Sequence, residues 1–261
     1  MTGSDSSAQC EAYEVVNAAG RGGALILCEH ASHHIPPRYK GLGLAEGDCQ
    51  SHAAWDPGAR AVSLALSAAL DAPLVASRVS RLVYDCNRPP EAASAMPEKS
   101  ELIEVPGNRG LSQAARDERE ATIYRPFCNA VQALIEARKS KGLNTALITM
   151  HSFTPIYYQK PREVEIGILH DQDSRLADAM LANAPALPHR NIQRNAPYGP
   201  DDGVTHSLKL HGLKNGLANV MIEVRNDLLR GAEQEEQIAQ ELLTLLHPAL
   251  ASLTQEGGTD A

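Results

Sequence analysis

Six short, largely continuous apolar runs constrain this chain more than any other feature: Ala24–Cys28, Pro73–Ala76, Leu82–Tyr84, Thr145–Met150, Val164–Leu169 and Ala218–Ile222. Each is bounded by turn-forming or charged residues, and apolar side chains dominate each of them, so they read as buried strands. Between them lie helical patterns at Gly58–Leu70, Ser112–Lys141 with an expected kink at Pro126, Ser174–Ala184, Thr205–Leu213 and Asn226–Leu253. In the last of these, Ile238, Leu242, Leu245, Leu246 and Leu250 fall on one helical face. Strands alternating with helices predict an α/β fold: a mostly parallel sheet with helices on both faces. Ligands of such sheets sit beyond the carboxyl ends of the strands. Two long irregular stretches, Cys86–Leu111 and His151–Glu163, directly follow strands, and their length marks them as functional loops. The ends, Met1–Gln9 and Gln255–Ala261, read as frayed tails.

The chain's 261 residues suffice for one large domain or two small ones. With 43% hydrophobic and 21% charged residues, disorder of the whole chain is excluded. A net charge of −8 argues against nucleic acid as the partner, so an anionic ligand must meet a local cluster of arginines. No membrane span is expected, because the longest weakly polar stretch, Ala59–Ser77, is interrupted by Asp71 and Pro73. The five cysteines (Cys10, Cys28, Cys49, Cys86, Cys128) form no C-x-x-C pair, and the acidic N-terminus has no signal-peptide core. A reducing cytoplasm fits both observations. Nothing in the sequence fixes an oligomeric state.

Phosphate-loop, dinucleotide-fingerprint and G-x-S-x-G motifs are all missing, which disfavours nucleotide-dependent chemistry and serine hydrolysis. Polar residues placed just past apolar strands remain. The run ALILC leads into Glu29, His30 and His33, and TALITM leads into His151, so two strand ends deliver imidazoles to one edge. A hydrolytic zinc site takes three His, Asp or Glu ligands and leaves one position open. His30 and His151 are two candidates, with His33 or Asp56 as the third. His34, His170, His189 and His247 read as ordinary loop or helix residues, and Cys28, ending an apolar run, as an inert core thiol.

Around Leu82–Tyr84 the sequence places Arg78 and Arg81 before an expected strand and Asn87 and Arg88 after it. In an acidic protein this clustering suggests a carboxylate clamp, since guanidinium binds carboxylate bidentately; surface pairing to Asp85 or Glu91 is the plainer possibility. Further on, Glu223 and Arg225 share one side of a strand by alternation. An acid there must be paired or functional, and a zinc hydrolase needs a carboxylate to take a proton from water.

In order along the chain, CEHASHHIPP, HAAWDPGA, SRLVYDCNRPP, MHSFTP and VMIEVRNDLL resemble the N-formylglutamate amidohydrolase family over about Ala24 to Leu229. D-C-N-R is also similar to the D-x-N-R motif of zinc carboxypeptidases and aspartoacylases. The resemblance implies one catalytic domain over residues 1–261, with a three-layer α/β/α fold of the zinc-carboxypeptidase, phosphorylase/hydrolase-like type and a mixed, mostly parallel sheet. It makes His30 and His151 zinc ligands, Asn87 and Arg88 carboxylate binders and Glu223 the general base. Arg81 or Arg225 would assist the clamp, and Tyr198, Asp202 and His206 would form a wall or lid. Where carboxypeptidases carry H-x-x-E this chain has His33, so Asp56 stands as the alternative third ligand. The implied reaction is hydrolysis of the amide of a small carboxylate-bearing N-acyl amino acid, first of all N-formyl-L-glutamate. A larger acylated peptide or cell-wall amide, or metal and ligand binding without turnover, are the other readings.

Overall fold

The computed structural model describes residues 11–256. Its centre is a seven-stranded sheet of β1 (Tyr13–Val16), β2 (Ala24–Cys28), β3 (Leu74–Ser77), β4 (Ala146–Phe153), β5 (Ile166–Leu169), β6 (Ile192–Arg194) and β7 (Asn219–Arg225). The strands lie in the order β1-β3-β2-β4-β7-β5-β6. The central four, β3, β2, β4 and β7, run parallel; β1 pairs antiparallel with β3, and β5 antiparallel with β7 and parallel with β6. The sheet is therefore mixed and mostly parallel, as the alternating pattern predicts.

Both faces are covered, which explains the largely continuous apolar runs. Ala24, Ile26 and Cys28 of β2 pack with Ile148 and Ile222 against α1 (Ala59–Ala69), α4 (Arg175–Ala182) and α5 (Ala232–Glu256). Leu25 and Leu27 point the other way, with Leu147, onto Phe127, Val131 and Ile135 of α3 (Arg125–Ser140). α2 (Gln113–Arg119) leads into α3. The helix pattern of Ser112–Lys141 thus holds, but without a plain proline kink. A π-helical turn at Glu120–Tyr124 joins α2 to α3, and Pro126 sits in the first turn of α3, where a missing N–H costs little.

Several expected boundaries change. Leu82–Tyr84 is buried but is not a strand: the Leu82 carbonyl accepts from Asn108 Nδ2 at 2.8 Å and that of Val83 from Arg119 Nη1 at 3.1 Å, so side chains satisfy what a ladder would. The edge strands β1 and β6 were not expected, because they are short and partly polar, with a half-buried or exposed pattern. The Thr205–Leu213 segment is wound as a wide turn over Leu208–Gly212 followed by a tight one over Leu213–Asn215. A short 3-10 turn, Asn226–Leu228, precedes α5, so the last helix starts at Ala232. The His151–Glu163 stretch is not one loop: β4 runs on to Phe153, and Ile156–Tyr157 pairs with Lys160–Pro161 in a small hairpin. Of the expected frayed ends, Met1–Gln9 and residues 257–261 lie outside the described residues, whereas Gln255 and Glu256 end α5. Among the described residues no helix is long and apolar enough to cross a membrane, and Cys28, Cys49, Cys86 and Cys128 are free thiols.

Candidate active site

The carboxyl ends of β2, β4 and β7 open into a cavity of about 470 Å³ whose lining includes His30, Asp56, Arg81, Arg88, His151 and Glu223. Two larger clefts, of about 780 Å³ each, contain none of these residues. His30 lies two residues past β2, and its carbonyl accepts a hydrogen bond from the Asp56 N–H at 3.0 Å, which pins the loop before α1 against the sheet. His151 and Glu223 lie within their strands rather than past them, opposite each other in the β4–β7 register. Their neighbours Met150 and Ile222 face α1, α4 and α5, so alternation turns both functional side chains to the other side. Gly167 of β5 is Glu223's partner on its other flank. A Cβ at Gly167 would lie 2.0 Å from the Ala196 carbonyl oxygen, so only glycine lets the segment bearing Pro197 and Tyr198 cross there to the cavity.

Three donor atoms converge. His30 Nδ1 and His151 Nδ1 lie 3.1 and 2.9 Å from Asp56 Oδ2, and 3.2 Å from each other. Ligands about 2.0–2.1 Å from a tetrahedral ion are about 3.3 Å apart, so this spacing suits a metal. Behind them, His30 Nε2 donates to Asp85 Oδ1 at 2.7 Å, and His151 Nε2 lies 3.3 Å from Glu29 Oε2. The His30 ring thus has a hydrogen-bonded carboxylate at Nε2, which leaves its Nδ1 as the coordinating atom, and His151 has Glu29 at ion-pair distance on its Nε2 side, short of hydrogen-bond geometry. Arg81 donates to Asp56 Oδ1 at 3.2 Å and to Asp85 Oδ2 at 3.3 Å, orienting both acids.

The electrostatics also ask for a cation. Glu29, Asp56, Asp85 and Glu223 are all buried, around two imidazoles and the guanidinium of Arg81, with that of Arg88 also acting on Asp85. With the rings neutral, as metal-binding imidazoles are, the four carboxylates outnumber the two guanidiniums, and such a surplus of buried negative charge is costly in a low dielectric unless a cation offsets it. Burial works against charge on His151, but Glu29 and Asp56 outweigh it and hold its pKa well above the usual histidine range. Burial likewise opposes ionisation of Asp85, yet His30, Arg88 and Arg81 keep it well below the usual carboxylate range. Glu223 differs: burial, reinforced by the charge of Asp56, pushes it up to about 7, and its Oε2 is buried without a hydrogen-bond partner. A carboxylate that titrates near neutrality beside a metal-type triad is suited to taking and returning a proton.

A family model for N-formylglutamate amidohydrolase matches residues 23–230. The chain belongs to that family. A structure of gene product Atu2144 from Agrobacterium tumefaciens is 53% identical, with a TM-score of 0.91, covering 93% of this chain and 96% of that one. An N-formylglutamate amidohydrolase from Ralstonia eutropha JMP134 shares the fold, with a TM-score of 0.61 at 18% identity over 95% of this chain and 99% of that one. No curated protein matches.

In this N-formylglutamate amidohydrolase family member the group that could hold a metal among the described residues is His30, Asp56 and His151. His33 is exposed and packs edge-on against Trp55, with ring centroids 5.0 Å apart, so of the two candidates for a third ligand the structure brings in Asp56. Arg88 and Asn87 line the cavity. Arg88 donates to its neighbour's carbonyl, Asn87 O, at 2.8 Å and pairs with no carboxylate among the described residues. One amide hydrogen of Asn87 goes to Val204 O at 2.7 Å, and its Oδ1 accepts from the Ser207 N–H at 2.9 Å, tying the Tyr198–Thr205 segment down. Tyr198 and Asp202 line the cavity as a wall, whereas His206 turns away to the Tyr124 hydroxyl at 2.8 Å.

Arg225 is not on the cavity: it donates to Asp227 at 2.7 Å and to the Arg162 carbonyl at 3.1 Å. Alternation correctly put it on Glu223's side of β7, but as the strand's last residue its long side chain reaches the neighbouring loop. Glu29, Asp85, Tyr157 and Arg162 were missed as site residues. Asp85 had a signal, the acid of D-C-N-R, and Glu29 another, its position beside His30; Tyr157 and Arg162 had none beyond belonging to a long loop.

Proposed function

We propose that this protein is a zinc-dependent amidohydrolase of the cytoplasm, a single catalytic domain that cleaves the amide of a small N-acyl amino acid, with N-formyl-L-glutamate as the favoured substrate. The observation that carries the reading is the convergence of His30 Nδ1, His151 Nδ1 and Asp56 Oδ2 beside Glu223, whose buried Oε2 has no hydrogen-bond partner among the described residues. His30, Asp56 and His151 would hold the zinc. When bound, zinc supplies Lewis acidity, which acidifies water and polarises an amide carbonyl.

The chain's own groups do the rest. Arg88, with the second amide hydrogen of Asn87, takes the substrate's α-carboxylate and so fixes where the acyl group lies. Glu223 Oε2 accepts a proton from the attacking water as its oxygen bonds to the acyl carbon. The same proton passes to the departing nitrogen when the C–N bond breaks, giving a carboxylic acid and a free amine. Asp85 and Glu29 hold the two rings in place, and Arg81 holds Asp56. The hairpin after β4 and the residue that follows it bring Tyr157 and Arg162 to the cavity wall, where Arg162 also packs on Tyr198, and a cavity of about 470 Å³ suits a small substrate.

A hydrolysis screen of the zinc-loaded protein over N-formyl, N-acetyl and N-succinyl amino acids tests the reading. Turnover of N-formyl-L-glutamate ahead of the bulkier acyl groups supports it. Fully zinc-loaded protein that cleaves none of them refutes it.

A further inference from the structure

The cavity contains a third guanidinium, beside those of Arg81 and Arg88, that the steps above do not use. Arg162 lines it together with Arg88, Tyr157 and Tyr198. The other two arginines considered for a carboxylate clamp are committed to the protein: Arg81 to Asp56 and Asp85, Arg225 to Asp227. Arg162 has no carboxylate within ion-pair distance among the described residues. The acid nearest in its influence, Glu101, is engaged by His52 at 2.8 Å and by the Tyr158 N–H at 2.9 Å.

The protein builds this guanidinium rather than letting it drift. Its Cζ lies 4.4 Å from the Tyr157 ring centroid, 4.7 Å from that of Tyr198 and 5.5 Å from that of Phe153. Aromatic faces hold a cation while leaving room at its N–H edge; of that edge, Nη1 donates to the Thr154 carbonyl at 3.4 Å and the Tyr198 hydroxyl accepts a further bond, both from neutral partners. The backbone is fixed at both ends: the Arg162 N–H donates to Pro155 O at 2.8 Å, and its carbonyl accepts from Arg225 at 3.1 Å. Arg225 in turn is locked by Asp227, so its place in the molecule is to brace the loop that carries Arg162. An arginine so positioned, half-buried and with only neutral partners among the described residues, is able to receive a carboxylate.

We infer that Arg162 is the specificity-determining residue for a second carboxylate on the substrate's side chain, with Arg88 on the α-carboxylate and Arg162 on the distal one. The assignment rests on the amidohydrolase reading for which end of the ligand is which. The two arginines and the cage, however, predict dicarboxylate binding whether or not turnover occurs.

The test is therefore made by equilibrium binding as well as by rate. L-Glutamate and L-glutamine, which differ only in the distal group and carry no acyl group on the α-nitrogen, are titrated calorimetrically into the zinc-loaded wild type, Arg162→Gln and Arg162→Lys. The wild type should bind glutamate roughly 10- to 100-fold more tightly than glutamine, the worth of one charged bidentate contact. Arg162→Gln should erase that ratio while leaving glutamine affinity unchanged, and Arg162→Lys should restore only part of it. The kcat/KM values for N-formyl-L-glutamate and N-formyl-L-glutamine should follow the same pattern in KM. Equal loss of both ligands in Arg162→Gln would mean a merely structural arginine, and a wild type without preference for glutamate would also overturn the proposal. Selective binding without hydrolysis would leave the dicarboxylate site standing and remove the amidohydrolase reading instead.

Discussion

Replacing Glu223 by glutamine should damage turnover and at the same time stabilise the metal-free protein, a combination that separates a base from a structural ion-pair partner. Glu223 is buried and its Oε2 has no partner. No arginine pairs with it, since Arg81 is bound to Asp56 and Asp85 and Arg225 to Asp227. Its pKa, about 7 against a usual value of 4.5, is raised by burial and by Asp56. A carboxyl whose folded pKa exceeds its unfolded one holds its proton more tightly when folded. Stability therefore falls as pH climbs from about 4.5 to about 7, and the whole penalty is present above that. Allowing for coupling to Asp56 and the two rings, the penalty at pH 8 is on the order of 1–3 kcal/mol. Glutamine carries no such penalty, so chelated Glu223→Gln should melt roughly 2–10 °C above chelated wild type at pH 8. The gap should close towards pH 4.5 and narrow when zinc is bound, because the ion offsets the buried charge. In the zinc-loaded variant kcat should fall on the order of 10²–10⁴, the usual share of a positioned base. Melting curves of chelated protein across pH, with kinetics on zinc-loaded samples, supply both numbers. A variant that melts lower at pH 8 and turns over normally would refute the reasoning and return Glu223 to the scaffold.

Other substitutions give equally definite expectations. His30→Ala, Asp56→Ala and His151→Ala should each release bound zinc, and His33→Ala should keep it, as read by elemental analysis of the purified proteins. Asp85→Asn should weaken zinc affinity on the order of 10–100-fold in a chelator competition while the fold persists, because the His30 ring loses the acid at its Nε2. Arg88→Ala should leave zinc in place and cost about 1.5–3 kcal/mol in kcat/KM for a free α-carboxylate substrate. The corresponding methyl ester, lacking that charge, should lose far less, and equal losses would count against the clamp.

The sheet was legible in the sequence because strands buried on both faces leave largely continuous apolar runs, as in Ala24–Cys28 and Ala218–Ile222. Leu82–Tyr84 carried the same signature yet belongs to a turn, since hydrophobicity reports burial and cannot tell a ladder partner from Asn108 and Arg119. The edge strands β1 and β6 escaped notice because solvent on one side dilutes the pattern. His30, Asp56, His151 and Glu223 were legible because each is a polar residue at or near the end of an apolar run or beside a helix start, where polarity needs a reason. The choice between Asp56 and His33 was not, for it depends on a loop pinned by one backbone hydrogen bond to the His30 carbonyl. Arg225 looked like a ligand residue and Arg162 like loop filler. Which guanidinium is spent on the protein and which is left over is decided by tertiary pairing, and short-range spacing does not record it.

Zinc titration of the chelated protein, followed by formate release from N-formyl-L-glutamate, addresses the central claim directly. Activity should be absent at the start, rise in proportion to added zinc and stop rising at one ion per chain. His151→Ala should stay inactive throughout the same range. Full turnover in the chelated wild type, or the same titration curve from His151→Ala, would contradict a metal-dependent reaction centred on His30, Asp56 and His151.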